Sequence, residues 1–238
     1  MKARPFKFKQ FTVHQDRCAM KVGTDGVLLG AWTSVAHKPA SILDIGAGTG
    51  LVGLMLAQRC NAELIDALEV EEVAFEQCVS NFEASPWADR LFCYHASLQD
   101  YVQEVEEQYD LIVSNPPFHI ETPSSGDQAR DQARQSQSLP FAELLKGVTK
   151  LLAPRGKFVV VIPHKQASGF IALAEPLGLF PSKILQVRGN PGTEIKRSFL
   201  EFQFGENSCE YEELVIELAR HVYTPEYINL TRDFYLKM

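Results

Sequence analysis

A rigid tetrapeptide near the middle of the chain could hold an amino group for reaction. The sequence Asn115-Pro116-Pro117-Phe118 follows an apolar run that predicts a strand. An NH₂ group conjugated to a ring is a poor nucleophile because its lone pair is delocalised. The Asn115 side-chain oxygen and the Pro116 carbonyl can accept both N–H bonds and leave the lone pair pointing at an electrophile, on a backbone that two prolines keep rigid. We predict catalytic roles for Asn115, Pro116, Pro117 and Phe118, the last as a stacking surface; a plain proline turn is the alternative.

A glycine-rich segment earlier in the chain has the form of a nucleotide-binding loop. The sequence Leu43-Asp-Ile-Gly46-Ala-Gly48-Thr-Gly50 leads from an apolar run into a helical pattern, and its glycines let the backbone pass close to a ligand. The stretch from Gly48 to Gly53 also spells GxGxxG, a pyrophosphate-binding pattern. The carboxylate of Asp44 would repel a pyrophosphate but suits a cationic sulfonium, which favours S-adenosylmethionine. We predict that this cofactor contacts Asp44, Gly46, Ala47, Gly48 and Gly50, and that it also contacts Asn115.

An acidic residue follows this loop at a distance typical of nucleotide-binding folds. Glu69 closes an apolar run 19 residues after Gly50, and a carboxylate at a strand end can accept both hydroxyls of a ribose. We predict that Glu69 and the adjoining Val70 contact the cofactor. Glu71 and Glu72 come next, but favourable charge in the first turn of a helix accounts for them.

Strand and helix patterns alternate along the chain. This repetition predicts a mostly parallel sheet with helices on both faces, and ligands bind such sheets at the carboxyl edge. The predicted strands are Ser41–Ile45, Glu63–Glu69, Leu91–His95, Tyr109–Ser114, Lys157–Ile162, Lys183–Val187 and Ser198–Phe204. The predicted helices are Leu51–Cys60, Glu71–Ala84, Leu139–Leu152 and Gln166–Leu177, with a break at residues 154–156. The three motifs described above therefore belong to the ends of three strands.

The net charge of −7 argues against a nucleic-acid partner, but its distribution does not. Residues 1–21 hold six basic side chains against one acid, and residues 183–197 hold four against one. A polyanion can bind through such segments, so we predict substrate contacts by Lys7, Lys9, Lys196 and Arg197. An unevenly charged, solvated surface is the alternative.

A polar segment, residues 121–138, follows the Asn115 turn. Its composition predicts a mobile insert next to the reaction site. Arg130 and Arg134 stand four residues apart in it and could grip a phosphate, or pair locally with Asp127 and Asp131.

Loop, acid and Asn-Pro-Pro-Phe, in this order, resemble the class I amino-group methyltransferases of nucleic acids and glutamine side chains. A closer similarity covers both ends of the chain. Residues 10–32, which include Lys21-Val-Gly23-Thr24-Asp25-Gly26, and residues 223–238 resemble the bacterial tRNA1(Val) adenine-37 N6-methyltransferases. The resemblance implies a Rossmann-like, seven-stranded methyltransferase sheet with an antiparallel last strand. It also implies a tRNA substrate, methylated beside the valine anticodon, with S-adenosylhomocysteine as the second product.

The resemblance also assigns residues beyond the three motifs. Lys21, Gly23, Thr24 and Asp25 are expected near the methionine end of the cofactor, although Thr24 could instead cap a helix that opens at Gly26. Many relatives carry an aspartate after the third strand to bind the adenine amino group. This chain has Ser97-Leu98 there, and we predict that Ser97, a weaker acceptor, takes that place with Leu98 beside it.

Composition sets the remaining expectations. The length predicts one domain over residues 1–238, with residues 1–40 as an extension packed on it. No stretch is apolar enough to cross a membrane, and no signal peptide opens the chain. Five scattered cysteines suit a reducing cytoplasm and, with scattered histidines, predict no metal site. We expect a cytoplasmic monomer.

Two other functions remain open from the residues themselves. A glutamine N5-methyltransferase acting on protein would use the same Asn-Pro-Pro logic, since an amide NH₂ poses a similar chemical problem. The lysines interleaved with Phe6, Phe8 and Phe11 favour RNA over that option, although for Phe8 itself burial as a core strand residue is favoured over stacking. A nicotinamide oxidoreductase would use the GxGxxG register and have no role for Asn115.

Overall fold

The computed structural model describes residues 4–117 and 139–238. Its strands are β1 (Phe6–Lys7), β2 (Thr12–Val13), β3 (Ser41–Ile45), β4 (Leu64–Glu69), β5 (Leu91–His95), β6 (Tyr109–Ser114), β7 (Leu152–Pro163), β8 (Leu179–Arg188), β9 (Arg197–Phe204), β10 (Glu210–Val215), β11 (Glu217–Ala219) and β12 (Val222–Tyr223). Its α-helices are α1 (Thr24–Trp32), α2 (Leu51–Arg59), α3 (Glu72–Glu83), α4 (Leu98–Glu104), α5 (Phe141–Leu151), α6 (Ala167–Ala174) and α7 (Pro225–Thr231). Short 3₁₀ turns cover His164–Gln166 and Glu175–Leu177.

The central sheet confirms the predicted fold class and has one strand more than predicted. Its order is β10-β8-β9-β7-β6-β3-β4-β5, and only β9 runs antiparallel to its neighbours. The seven predicted strands are all present in it. The eighth, β10, pairs in parallel with β8 at the sheet edge. Its sequence Glu-Tyr-Glu-Glu-Leu-Val is largely exposed and lacks the apolar pattern that predicts a core strand. Charged side chains of this kind are typical of a strand at a sheet edge.

The predicted break at residues 154–156 is a local irregularity within a strand. β7 begins at Leu152, which pairs with Tyr109, and the register shifts before Lys157 pairs with Leu111. A Cβ on Gly156 would meet the Tyr109 carbonyl oxygen at 2.8 Å, so the close approach of the two backbones requires glycine there.

Two apolar clusters lie on the two faces of the sheet. One joins α1, α2 and α3 with buried residues of both chain ends, including Phe8, Val13 and Phe234. The other joins α4, α5 and α6 around the fully buried rings of Phe158 and Phe170. The strands between them are apolar on both sides, as expected for parallel strands covered by helices on each face.

Residues before the sheet pack against the end of the chain. Phe8 forms an antiparallel bridge with Tyr235, and the Lys9 amide donates to the Phe234 carbonyl at 2.8 Å. The Arg59 guanidinium donates to the carbonyls of Gly30 and Thr33 and so satisfies the carboxyl end of α1. The extension is thereby fixed on the α1–α3 face of the sheet.

Candidate active site

The strand register brings the three sequence motifs to one edge of the sheet. Ile45, the last residue of β3, lies opposite Leu68 of β4 and Ser114 of β6. The residues that follow, Gly46 and Asn115, therefore leave the sheet side by side, next to Glu69. The Ser114 hydroxyl donates to the Ile45 carbonyl at 2.8 Å and ties the two strand ends together.

The glycine loop is hydrogen-bonded to β4 on one side and faces open space on the other. The amides of Gly46 and Ala47 both donate to the Leu68 carbonyl, at 2.9 and 3.0 Å. Gly46, Gly48 and Gly50 all have positive φ, which side chains with a Cβ rarely adopt. A Cβ on Gly46 or Gly48 would meet nothing within 4 Å, whereas one on Gly50 would lie 2.5 Å from the Phe82 ring. The first two glycines thus leave space for a ligand, and the third allows packing against α3.

Glu69 organises the edge on which a cofactor would lie. One carboxylate oxygen accepts the Gly48 amide at 2.8 Å, and the other accepts the amides of Val70 and Glu71 at 2.8 and 2.9 Å. The side chain is buried, so these three charge-assisted bonds fix it firmly. The Glu71 carboxylate instead accepts the Ala74 amide and caps α3. Glu69 therefore binds the backbone at the cleft edge, whereas Glu71 caps a helix.

The Asp44 carboxyl is buried beneath the loop. Its exposure is 1%, and it accepts the Gly53 amide at 3.2 Å. Burial raises the pKa of Asp44 to about 7, the Gly53 hydrogen bond works against that rise, and the Glu69 charge adds to it. A nearby cation would stabilise the ionised form of this carboxyl.

These groups line a cleft of about 1320 Å³. Its walls come from residues 18–26, 44–49, 68–71, 96–99, 114–117 and 139–140, together with Arg197. The residues of this cleft suit S-adenosylmethionine. Asp44 and Glu69 line it beside the open glycine backbone, and the cofactor carries a positively charged sulfur and an ammonium group. The volume also exceeds what a ligand of that size needs.

Comparison with known proteins establishes the family. The model of the Methyltransferase small domain family matches residues 26–180. A Flavobacterium johnsoniae protein described as tRNA1(Val) (adenine(37)-N6)-methyltransferase is 58% identical over 234 residues, which is 98% of this chain and 100% of that protein. The chain belongs to this methyltransferase family. Proteins with the same description from Christiangramia forsetii and Trichodesmium erythraeum are 54% and 45% identical, each over 100% of both chains.

Solved structures of other methyltransferases share the fold of this chain. A protein described as a predicted O-methyltransferase from Agrobacterium tumefaciens superposes with a TM-score of 0.67 at 18% identity, over 88% of this chain and 96% of that one. The ribosomal protein L11 methylase of Lactobacillus delbrueckii reaches 0.53 at 15% identity, over 76% and 77% of the two chains. The family leaves no support for the oxidoreductase alternative.

Asn115, for which we predict a catalytic role, lies at one end of the cleft in the methyltransferase. Asn115 is half-buried, Pro116 is buried and Pro117 is exposed, and all three line the cleft. Gly26 of α1 lies beside Asn115, since a Cβ there would stand 3.9 Å from Asn115 Nδ2. Phe118, the predicted stacking ring, lies outside the described residues, as do the 121–138 segment, Arg130 and Arg134.

The segment before α1 lines the cleft, but its polar groups bind protein atoms. The Lys21 ammonium donates to the carbonyls of Gln15, at 2.6 Å, and Cys18. α1 begins at Thr24 with Gly23 as its N-cap and without a side-chain cap, so a Thr24 cap on a helix opening at Gly26 was wrong. Asp25 accepts the Arg197 Nε at 2.8 Å.

The residues after β5 also combine structural and cleft positions. The Ser97 hydroxyl caps α4 by accepting the Asp100 amide at 3.1 Å, and it donates to the Asp100 carboxylate at 2.6 Å. Leu98 is buried in the core and also reaches the cleft wall. Val70, which lines the same cleft, is half-exposed. A role for Ser97 at the cofactor adenine stays a prediction.

The four basic residues predicted to contact substrate do not share one surface. Lys196 and Arg197 stand at the carboxyl edge of the sheet, and Arg197 lines the cleft. The Lys9 ammonium instead donates to the Arg232 carbonyl at 2.5 Å, beside the far end of α2. At that end of α2 the Gln58 side-chain amide donates to the Asp233 carbonyl. The nine residues of α2 span about 13 Å between this end and the glycine loop. Lys7, the last residue of β1, is exposed and stands two residues before Lys9, away from the carboxyl edge of the sheet.

The aromatic residues of the N-terminus are not available to stack on RNA bases. Phe8 and Phe11 are buried and stack on one another with ring centroids 4.7 Å apart. Phe6 packs on Phe8 and Tyr235. The argument that these rings favour RNA over a protein substrate was therefore wrong; they hold the two chain ends together.

One buried residue near the site gave no signal in the sequence. The Asn81 side chain donates to the Thr49 carbonyl at 2.8 Å and to the His14 carbonyl at 2.9 Å, and it accepts the His14 amide. It thus joins the glycine loop to the N-terminal extension from α3. A single asparagine inside a helical pattern does not predict such a contact, because its partners are 32 and 67 residues away.

Metal-binding clusters and membrane-spanning helices are both absent from residues 4–117 and 139–238. No group of three or more His, Cys, Asp or Glu side chains in this part of the chain could hold a metal ion. None of the helices in those ranges is long and apolar enough to cross a bilayer.

Proposed function

We propose that this protein transfers the methyl group of S-adenosylmethionine to N6 of adenine 37 in a valine tRNA and releases S-adenosylhomocysteine. The observation that carries the proposal is the convergence of the Asn115 turn, the glycine loop and Glu69 in one cleft. Relatives 45% to 58% identical over nearly the whole chain carry this activity in their descriptions.

The cofactor would lie along the glycine loop. Glu69, which three backbone amides hold, would accept the ribose hydroxyls, and Asp44 would supply negative charge near the methionine portion. When bound, S-adenosylmethionine supplies an activated methyl group on a positively charged sulfur. Lys21 shapes the opposite wall through its carbonyl contacts.

The substrate amino group would be held by Asn115. The side-chain oxygen and the Pro116 carbonyl accept one N–H each, which favours the pyramidal nitrogen whose lone pair is free to attack. Two consecutive prolines keep these two acceptor oxygens from moving to fit the planar ground state of the amino group. The amine would thereby attack without prior loss of a proton, and the cationic N-methyl product would then release one N–H proton to water.

The tRNA would approach the carboxyl edge of the sheet. Lys196 is exposed at this edge beside the cleft-lining Arg197 and offers its charge to the phosphate backbone. We further propose a monomeric enzyme of the cytoplasm; all five cysteines are free thiols, which suits a reducing compartment. Sedimentation velocity checks the monomer.

Mass spectrometry of nucleosides tests the function. The purified protein, S-adenosylmethionine and unmodified valine tRNA should yield N6-methyladenosine, and a tRNA with guanine at position 37 should yield none. The Asn115→Ala variant should lose about 10²–10³ in turnover while its affinity for S-adenosylhomocysteine changes little. Asn207→Ala is the matched control, since Asn207 lies in an exposed loop and its side chain donates to the Gly205 carbonyl, far along the chain from the three motifs. Near wild-type turnover in Asn115→Ala, or methylation of a glutamine peptide in place of tRNA, would refute the proposal.

A further inference from the structure

An ion pair crosses the rim of the cleft between residues 172 positions apart. The Arg197 Nε lies 2.8 Å from the Asp25 Oδ2, and each side chain is 30% exposed. Arg197 opens β9, and Asp25 is the second residue of α1. The pair therefore joins the central sheet to the helix that borders the reacting end of the cleft.

The two sides of this ion pair differ in how firmly they are held. The backbone at Arg197 pairs with Pro163 of β7 and with Val187 of β8, so strands fix it on both sides. Asp25 follows a loop and opens a helix that has no side-chain cap. The ion pair therefore transmits the rigidity of the sheet to the start of α1.

The first turn of α1 in turn lies beside Asn115. A Cβ on Gly26 would stand 3.1 Å from Leu51 Cδ2 and 3.9 Å from Asn115 Nδ2. The helix start and the Asn115 amide are therefore separated by about the space of one methyl group, so a shift of the Asp25–Gly26 turn changes the surface beside Asn115. An error of about 1 Å in such a group can cost 10²-fold in rate.

We propose that Arg197 is a positioning residue: through Asp25 it holds the first turn of α1 against Asn115 and so keeps that amide in its reactive orientation. The proposal deepens the function given above and rests on it for the role of Asn115. It also replaces the direct phosphate contact predicted for Arg197 by a role inside the enzyme.

A double-mutant cycle tests the proposal. Asp25→Asn, Arg197→Gln and the double variant should each lower kcat about 10- to 100-fold. The effect of the double variant should be much smaller than the product of the two single effects, because all three variants remove the Asp25–Arg197 ion pair. KM for tRNA, and the slope of log tRNA affinity against log salt, should stay at their wild-type values. Arg197→Lys, which keeps the charge, should recover part of kcat.

A second ion pair on the same sheet supplies the matched control. Lys183 lies 2.9 Å from Glu212, at similar exposure, on strands that do not line the cleft. Lys183→Gln and Glu212→Gln should leave kcat unchanged. If they lower kcat as much as the Asp25 and Arg197 variants do, loss of any ion pair suffices and the proposal fails.

Amide hydrogen exchange separates this proposal from the proposed function. Residues 21–26 should exchange faster in Asp25→Asn and in Arg197→Gln than in the wild type or in the Lys183 control, whether or not tRNA is the substrate. Unchanged exchange in those variants overturns the proposal even if wild-type protein methylates tRNA. A fall in tRNA affinity and salt slope in Arg197→Gln, but not in Asp25→Asn, would also overturn it in favour of a phosphate contact.

Discussion

Removal of the Glu69 carboxylate is expected to damage both the glycine loop and the cofactor site. In the Glu69→Ala variant, the amides of Gly48, Val70 and Glu71 lose their acceptor. Two of these amides belong to the segment that leads into α3, and the third belongs to the loop that the cofactor would cover. The change therefore disconnects the ends of β3 and β4 where they form the cleft.

The size of the effect follows from these three bonds. Hydrogen bonds to a charged group contribute about 1.5–3 kcal/mol each. The freed amides face an open cleft and regain water, so we expect a loss of about 2–4 kcal/mol in the free energy of unfolding rather than the full sum. Cofactor affinity should fall roughly 10²-fold or more as well, because the variant would also lose the two bonds that we propose Glu69 makes to the ribose hydroxyls.

Glu71→Ala provides the matched control, two residues away. It removes one bond, the N-cap to Ala74, and should cost about 1 kcal/mol of stability with little change in cofactor affinity. Urea denaturation gives the free energies of unfolding, and calorimetry with S-adenosylhomocysteine gives the affinities. Equal effects of the two substitutions on affinity would refute the role assigned to Glu69.

Three further predictions concern neighbouring groups. Because burial raises the pKa of Asp44 from 3.8 to about 7, its contribution to stability is complete below pH 3.8 and is lost as pH rises to about 7; Asp44→Asn should flatten that part of the urea-denaturation profile, and an unchanged profile contradicts the shift. Lys9→Gln should lower Tm without affecting tRNA affinity, whereas Lys196→Gln should weaken tRNA binding and reduce its salt slope by about 0.7–0.9; the reverse pattern would place the RNA at the opposite edge. Gly50→Ala should cost the most stability, because its methyl group would clash with the Phe82 ring in addition to the strain of a positive φ. Gly46→Ala carries the same backbone strain but meets open space, so it should cost less stability and should lower cofactor affinity in the same calorimetric assay.

Local sequence was sufficient for seven of the eight strands of the central sheet, for the helices α2, α3, α5 and α6, and for the positions of the three motifs, whereas α4 and α7 were not predicted. The strands β3 and β6 have the predicted bounds, and α3 differs from its prediction by one residue at each end. These elements could be predicted because apolar periodicity and glycine or proline punctuation act over a few residues. Edge strand β10 was missed for the same reason, since its charged, exposed sequence lacks an apolar pattern.

Only the tertiary structure decided which polar groups work together. Asp25 was predicted for the cofactor and Arg197 for the substrate, yet they form one ion pair; Lys9 was predicted for RNA, yet it binds the end of α7. These partners lie 172 and 223 residues apart in sequence. Such pairings depend on how the sheet and both chain ends pack, so residue type and local spacing cannot specify them. What the sequence by itself determined is the chemistry at each strand end, because residue type and strand position are both local; the contacts that hold that chemistry in place were decided by the fold.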